Sequence, residues 1–430
     1  MKTRRQLHAF FEPRLGSNAV HQLVRTNYKK VSSHCLLIGV GAFFCVSAHA
    51  APEKTNASET TPAAVQLTEK TATSTKRMPN NQDAQIVELV FVIDTTGSMG
   101  GLLEGAKAKI WSIINNIMQK PDRQNVRVKV GLVAFRDRGD AYVTKLTQLT
   151  DNLDQVYSEL TALRAEGGGD TPEDVRTAMH QAVGKMAWSK ASASTSQIIF
   201  LVGDAPPHND YMDVPSVESS VKFARGKGIL VNAIQCGALV DTTAPWRQVA
   251  QLGGGEYFSI AQNGGVDLVA TPQDAELAVL GEKIGATYLA YGRADERKVK
   301  MSQQLMLEEK VAAAAPPAAR AERAVNKAIN TRAYDESDLL QKIESGQTSL
   351  SRLKDEELPD GLLQLKPEER QRKVDEALQQ RHALKKRIVE LSKQRDQFLS
   401  DERLKKKSAK SEDQLGFDSA VSNTLERQIK

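Results

Sequence analysis

Alternating strand and helix patterns between Ile86 and Gly292 predict an α/β fold: a doubly wound, mainly parallel sheet flanked by helices, followed by an all-helical tail. Three observations carry this expectation. Apolar runs of buried-strand type recur at Leu89–Ile93, Val126–Phe135, Gln197–Gly203 and Gly228–Cys236. Segments with apolar residues at helical spacing lie between them. Two of the runs stop abruptly at a carboxylate, Asp94 and Asp204, and parallel sheets build their sites beyond the carboxyl ends of strands.

The first 50 residues read as a secretory leader. Cys35 to Val46 is an apolar stretch behind Lys29-Lys30, and Ala48-His49-Ala50 supplies small residues before a cleavage point at Ala51. The apolar stretch is shorter than the roughly 20 residues a membrane span needs. An uncleaved anchor or a buried helix is the alternative. This segment also explains the charge. The chain is formally +5, but residues 1–50 hold seven Lys/Arg against one acid, so the remainder is at −1. A near-neutral chain with 5% aromatics lacks the basic and stacking surface of a nucleic-acid binder. Export leaves Cys236 as the single thiol, in an apolar run that predicts an inert core position. Residues 51–85, rich in Ala, Thr, Ser, Pro and charge, read as a flexible linker.

The elements then follow in order. Ile86–Asp94 is a strand. Leu102–Met118 carries a stripe of Leu, Ala and Ile at helical spacing and is stopped by Pro121. Val126–Phe135 is a second strand, and Tyr142–Leu149 alternates as an exposed edge strand. Leu153–Leu163 is helical. Pro172, followed by Glu173 and Asp174, predicts a helix first turn, with the helix running to about Trp188. Strands at Gln197–Gly203, Gly228–Cys236 and Glu256–Ile260 alternate with helices at Val217–Gly226, Trp246–Leu252 and Asp274–Tyr291.

Beyond Arg293 the composition turns Ala-, Lys-, Glu- and Arg-rich. Residues 293–335 read as linker with some helix, and 336–404 as a helical region. Its long helix from Lys366 carries a heptad-like series through Ala377, Arg381, Leu384, Ile388, Leu391, Arg395 and Phe398. Two arginines in that seam weaken the case for a dimeric coiled coil, so self-association through 366–399 and packing onto the same chain both stay open. Residues 405–430 read as a disordered tail.

The chemistry concentrates in FVIDTTGSM, Phe91–Met99. Asp94, Thr96 and Ser98 place three hard oxygen donors at a strand-to-helix turn, a set suited to a small hard cation such as Mg²⁺. Thr171, in the Gly-rich loop GGGDTPED, belongs to the same rim, as does Asp204 in LVGDAPPH. Together DTTGSM, GGGDTPED and LVGDAPPH resemble the three signature segments of the von Willebrand factor type A domain, over about half of the chain. That resemblance implies a Rossmann-like sheet and a metal-ion-dependent adhesion site. It carries over to Asp94, Thr96, Ser98, Thr171 and Asp204. Thr96, Ser98 and in some cases Thr171 would bind the cation directly, and the two aspartates mostly through water. The cofactor implied is Mg²⁺, with Mn²⁺ or Ca²⁺ as variants, and the partner a protein presenting an acidic side chain. Glu357–Leu399 resembles the charged helical tail of some exported bacterial proteins of this type.

Other readings remain to be compared. Ser98, Asp204 and His208 occur in hydrolase order, but no G-x-S-x-G elbow surrounds Ser98, because Thr96 stands at its first glycine. Asp204 and His208 also share one short loop. An aspartyl phosphatase would want an acid where Thr96 stands. Asp170 either caps a helix at 172 or holds a second ion, and capping is the simpler assignment. The expectation is a periplasmic or secreted, non-catalytic binding protein, with an envelope hydrolase or a purely structural scaffold as alternatives.

Overall fold

The computed structural model describes residues 85–123, 126–407 and 416–429. The expected leader and, apart from Gln85, the linker lie outside the described residues.

The first half alternates as expected: β1 (Ile86–Asp94), α1 (Gly100–Met118), β2 (Arg127–Phe135), β3 (Thr144–Thr150), α2 (Leu153–Ala162), α3 (Val175–Gly184), β4 (Thr195–Gly203), α4 (Val217–Gly226), β5 (Leu230–Cys236), α5 (Val240–Gly253), β6 (Gly254–Ile260) and α6 (Asp274–Gly285). The strands form one sheet in the order β3-β2-β1-β4-β5-β6. All neighbours are parallel except β3, which runs antiparallel to β2 at the edge. Both faces of β1 are buried. Val87, Leu89, Phe91 and Ile93 face a core with α1 and α2, while Val90 and Val92 face one with α3, α4 and α5. That double burial is why the strand reads as a continuous apolar run. From β1 the chain crosses to β2 on one side, and β4 lies on the other. The carboxyl ends of β1 and β4 therefore flank a topological switch point, and Asp94 and Asp204 stand there.

Several element boundaries differ from expectation: α5 starts at Val240 and not at Trp246, and α3 ends at Gly184 and not near Trp188. Pro172 does not open a helix. Glu173 and Pro207 form a parallel bridge, with Glu173 N donating to Pro206 O and His208 N to Glu173 O, so the segment stays extended. The helix starts at Val175, capped by Asp174, whose Oδ1 accepts Thr177 N at 2.9 Å. Asp170 is thus not its cap. The helix from Asp274 ends at Gly285 and not at Tyr291, because Leu289 N and Ala290 pair with Asp338.

The second half departs further. Residues 293–335 are two full helices, α7 (Ala294–Ala314) and α8 (Pro317–Ile329), followed by α9 (Leu339–Glu344) and α10 (Pro367–Lys407). The expected disordered tail contains α11 (Phe417–Gln428), with Phe417, Ala420, Val421 and Leu425 buried in the same core as Phe91 and Trp111. Helix α11 is polar on average, and its buried apolar residues fall on one face, which is what a docked helix requires. The seam of α10 is satisfied within the chain. Ile388 and Leu391 pack with Leu277, Ile284, Ala324 and Val325 of α6 and α8. The seam arginines find buried acids: Arg381 pairs with Asp338, and Arg395 with Asp274 and Glu322. Arg323 of α8 does the same with Asp154 of α2 and Glu308 of α7. The tail is therefore stitched to the sheet domain by buried ion pairs as well as apolar contact.

Phe417→Ala removes a ring packed 6.2 Å from that of Phe91. We expect it to lower the unfolding free energy by about 3–5 kcal/mol in a urea titration of the full chain. An unchanged midpoint would show that α11 is not docked. Arg323→Ala strands the carboxylate of Asp154 in the core and should cost a similar amount, about 3–5 kcal/mol, measured in the same way.

Candidate metal centre

Three loops meet at the switch point, and named hydrogen bonds hold them. In the first, the Asp94 carboxylate turns back on its own chain. Its Oδ1 accepts Thr96 N at 2.8 Å and Thr96 Oγ1 at 2.7 Å. That local closure forces the strand to end and displays the hydroxyls, with Thr96 Oγ1 and Ser98 Oγ 3.4 Å apart. The second loop is fastened to the first by Gly97 N to Gly167 O and Glu166 N to Thr95 O. Gly167 sits at φ +83°, and a Cβ there would fall 2.3 Å from Asp140 Oδ1, so a side chain at this position would break the approach. In the third loop, Thr242 Oγ1 donates to Asp204 O and Trp246 Nε1 to Ala205 O. Gln262 ties the third loop to the first, its Nε2 donating to Asp204 Oδ2 at 2.6 Å and to Ser98 O at 3.3 Å.

Four of the five expected residues are thus brought together. Asp94 lies at the base, 1% exposed, Thr96 is buried above it, Ser98 is exposed at the rim, and Asp204 is half-buried opposite. Thr171 is exposed in the second loop and makes no hydrogen bond to the other four. Two further groups escaped the sequence reading. Gln262 follows β6, outside all three motifs. Glu173 passed for a helix-start acid, yet it is 3% exposed with Oε2 lacking any partner.

The electrostatics are one-sided. Burial raises the Asp94 carboxyl from 3.8 to about 7, and the nearby Asp204 adds to this. Burial raises Glu173 from 4.5 to about 9, reinforced by the charges of Asp94, Asp137, Asp140 and Asp204. Among the described residues no Lys, Arg or His pairs with Asp94, Glu173 or Asp204. Buried carboxylates without a counter-charge are costly. Hard oxygen donors in this setting fit a divalent cation, with Asp94, Thr96, Ser98 and Asp204 closest to hand and Thr171 available on the facing loop. Alongside lies a second group. His208 Nε2 faces Asp137 Oδ2 at 3.4 Å and Asp170 Oδ2 at 3.7 Å, and its Nδ1 meets Asp210 at 2.9 Å. His208 makes no hydrogen bond to Ser98, so the nucleophile–base contact of a hydrolase is not formed.

Residues 88–270 match the family model of the von Willebrand factor A domain. The chain carries a von Willebrand factor A domain. Among curated proteins it is 36% identical over 95 residues to von Willebrand factor A domain-containing protein 7 of Rattus norvegicus, covering 22% of this chain. It is 31% identical over 124 residues to an ariadne-like RING finger protein of Acanthamoeba polyphaga mimivirus, covering 29% of this chain. The matches span only 10% and 11% of those relatives. Among solved structures it is similar to BatB from Bacteroides thetaiotaomicron, at 18% identity and TM-score 0.30, over 41% of this chain and 90% of that one. The SpRpn10 VWA domain compares at 13% identity and TM-score 0.31, over 42% and 89%. Von Willebrand factor A domains point to protein interaction and commonly bind divalent metal. Among the described residues no helix is long and apolar enough to cross a membrane.

The raised carboxyls set a pH dependence. Asp94 and Glu173 hold more protons folded than unfolded between their ordinary and raised values, so stability contributed by this centre falls as pH rises from about 4 toward 9. In EDTA, Glu173→Gln should therefore gain on the parent chain progressively across that range, read from paired urea titrations. Millimolar Mg²⁺ should narrow the gap at the alkaline end, where deprotonated ligands bind metal best. A difference independent of pH would remove Glu173 from the centre.

Proposed function

We propose that this protein captures a protein partner through a divalent cation of the Mg²⁺ type held by Asp94, Thr96, Ser98, Thr171 and Asp204. The observation that carries the reading is the convergence of the Asp94, Glu173 and Asp204 carboxylates, with no Lys, Arg or His paired to them among the described residues. Bound there, such a cation supplies positive charge and an exchangeable coordination position for an acidic side chain. The chain's own residues do the remainder. Thr96 and Ser98 offer neutral oxygens, which leave charge for an incoming carboxylate. Asp94 orients Thr96 through the 2.7 Å hydrogen bond, and Gln262 orients Asp204. Ser98 and Thr171, both exposed, mark the side from which a partner approaches. The apolar run at 35–46 supports placing this activity in the periplasm or outside the cell. The separation of His208 from Ser98 by hydrogen bonding favours binding over a serine hydrolase.

Calorimetric titration of the full chain should show Mg²⁺ binding that Asp94→Ala and Ser98→Ala each weaken at least about tenfold, the range expected when a metal-site group is lost. Capture of partner from an envelope extract should follow the same pattern and be reversed by EDTA. Capture that survives both substitutions and chelation would sink the metal-bridged reading and leave a scaffold. Ester hydrolysis lost in Ser98→Ala but spared by EDTA would point to the hydrolase instead. Deleting residues 1–50 should shift the protein to the cytosolic fraction; unchanged fractionation would count against export.

A further inference from the structure

We propose that Asp137, Asp170 and His208 form a second cation position, of the Zn²⁺ class, distinct from the one at Asp94. One oxygen from each carboxylate and one imidazole nitrogen lie within 4.8 Å of one another. The His208 nitrogen stands 3.4 Å and 3.7 Å from the two oxygens. A tetrahedral shell with bonds of about 2.0–2.1 Å spaces its ligands by about 3.4 Å. The two distances from the histidine nitrogen are already near that spacing.

Acidic clusters are common on protein surfaces, and the case here rests on the histidine. Asp210 accepts a hydrogen bond from His208 Nδ1 at 2.9 Å. In neutral imidazole that fixes the proton on Nδ1 and leaves a lone pair on Nε2. Nε2 is itself buried and has no hydrogen-bond partner. With Nδ1 engaged by Asp210, Nε2 is the ring nitrogen turned to the carboxylates of Asp137 and Asp170. A cation resolves this arrangement, and a carboxylate behind a histidine is the usual support for a metal-bound imidazole.

The ring is also held in place. Tyr211 stacks on it with centroids 4.1 Å apart and a 17° angle between planes. The Tyr211 hydroxyl donates to Asp137 at 2.9 Å, so one residue fixes two of the three ligands. Arg138 covers the other part of this wall. Its guanidinium lies 3.9 Å from the Tyr211 ring centre and pairs with Asp174 and Asp213, not with the cluster. The backbone bridge that seats His208 also seats Glu173, 3% exposed with Oε2 unpartnered. The Glu173 carboxyl feels Asp94 and Asp204 of the first centre and Asp137 of the second. Imidazole with carboxylates suits Zn²⁺ better than the all-oxygen set at Asp94 does. The two positions would therefore take different metals. Asp170 is largely exposed, leaving the second position open to water or to a partner group.

Zn²⁺ titration of the full chain against a chromogenic chelator, with millimolar Mg²⁺ present throughout, tests this. One tight Zn²⁺ equivalent is expected in the parent chain. His208→Gln and Asp170→Asn should each lose it, and Asp210→Asn should weaken it by about 10–100-fold. Ser98→Ala, which removes a ligand of the first centre, should keep it, so failure of the first centre and failure of the second give different patterns. Asp170 sits on an exposed loop, so its variant reads binding even where a histidine variant folds poorly. Zn²⁺ held equally by the parent, His208→Gln and Asp170→Asn would mean adventitious binding elsewhere. No tight equivalent in the parent would mean that the three groups hold no cation. Either result overturns the proposal.

Discussion

The structure depends on one electrostatic constraint: two strands of a buried sheet end in carboxylates that point at each other. Asp94 closes β1 and Asp204 follows β4, at the place where successive connections leave in opposite directions. An apolar sheet has no way to solvate that pair. The surrounding loops respond with neutral donors: the Thr96 backbone and hydroxyl to Asp94, and the Gln262 amide to Asp204. None of these supplies charge. The deficit of positive charge sets the switch point apart from the rest of the sheet.

Much of this was legible in the sequence because it is written locally. A strand buried on both faces must be continuously apolar, so Leu89–Ile93 and Gln197–Gly203 announce themselves, and so do the carboxylates that end them. The loops carrying Asp94, Thr96, Ser98, Thr171 and Asp204 each bring their donors within a few residues. Other features are non-local. Glu173 looks like a helix-start acid until Pro206 and His208 pair with its backbone and hold it extended. Gln262 carries no local signal, because its role comes from two loops far away in sequence. Arg381 and Arg395 look like flaws in a dimer seam. They become assets once Asp338, Asp274 and Glu322 arrive from other elements.

The same contrast explains the helical half. Its mean composition is too polar to advertise a core, and its helices gain stability from the sheet domain more than from each other. Arg323 illustrates the cost and the gain. Burying a guanidinium is expensive, and Asp154 and Glu308 offset it only while α2, α7 and α8 keep their places. Such pairs add directional specificity to an interface whose apolar part, small alanines such as Ala321 and Ala324, would tolerate sliding.

The ring contact between Phe91 and Phe417 joins the central strand to a helix more than three hundred residues further along the chain. Phe91 also stacks on Phe200, so the central strand shares an aromatic cluster with both a near and a very distant segment. During synthesis, that side of the sheet must wait with its apolar face uncovered until α11 emerges. Closing so long a loop is entropically slow, and the waiting surface is the kind that chaperones recognise. A fusion or cut within α11 would thus act on the centre of the sheet, far away in sequence.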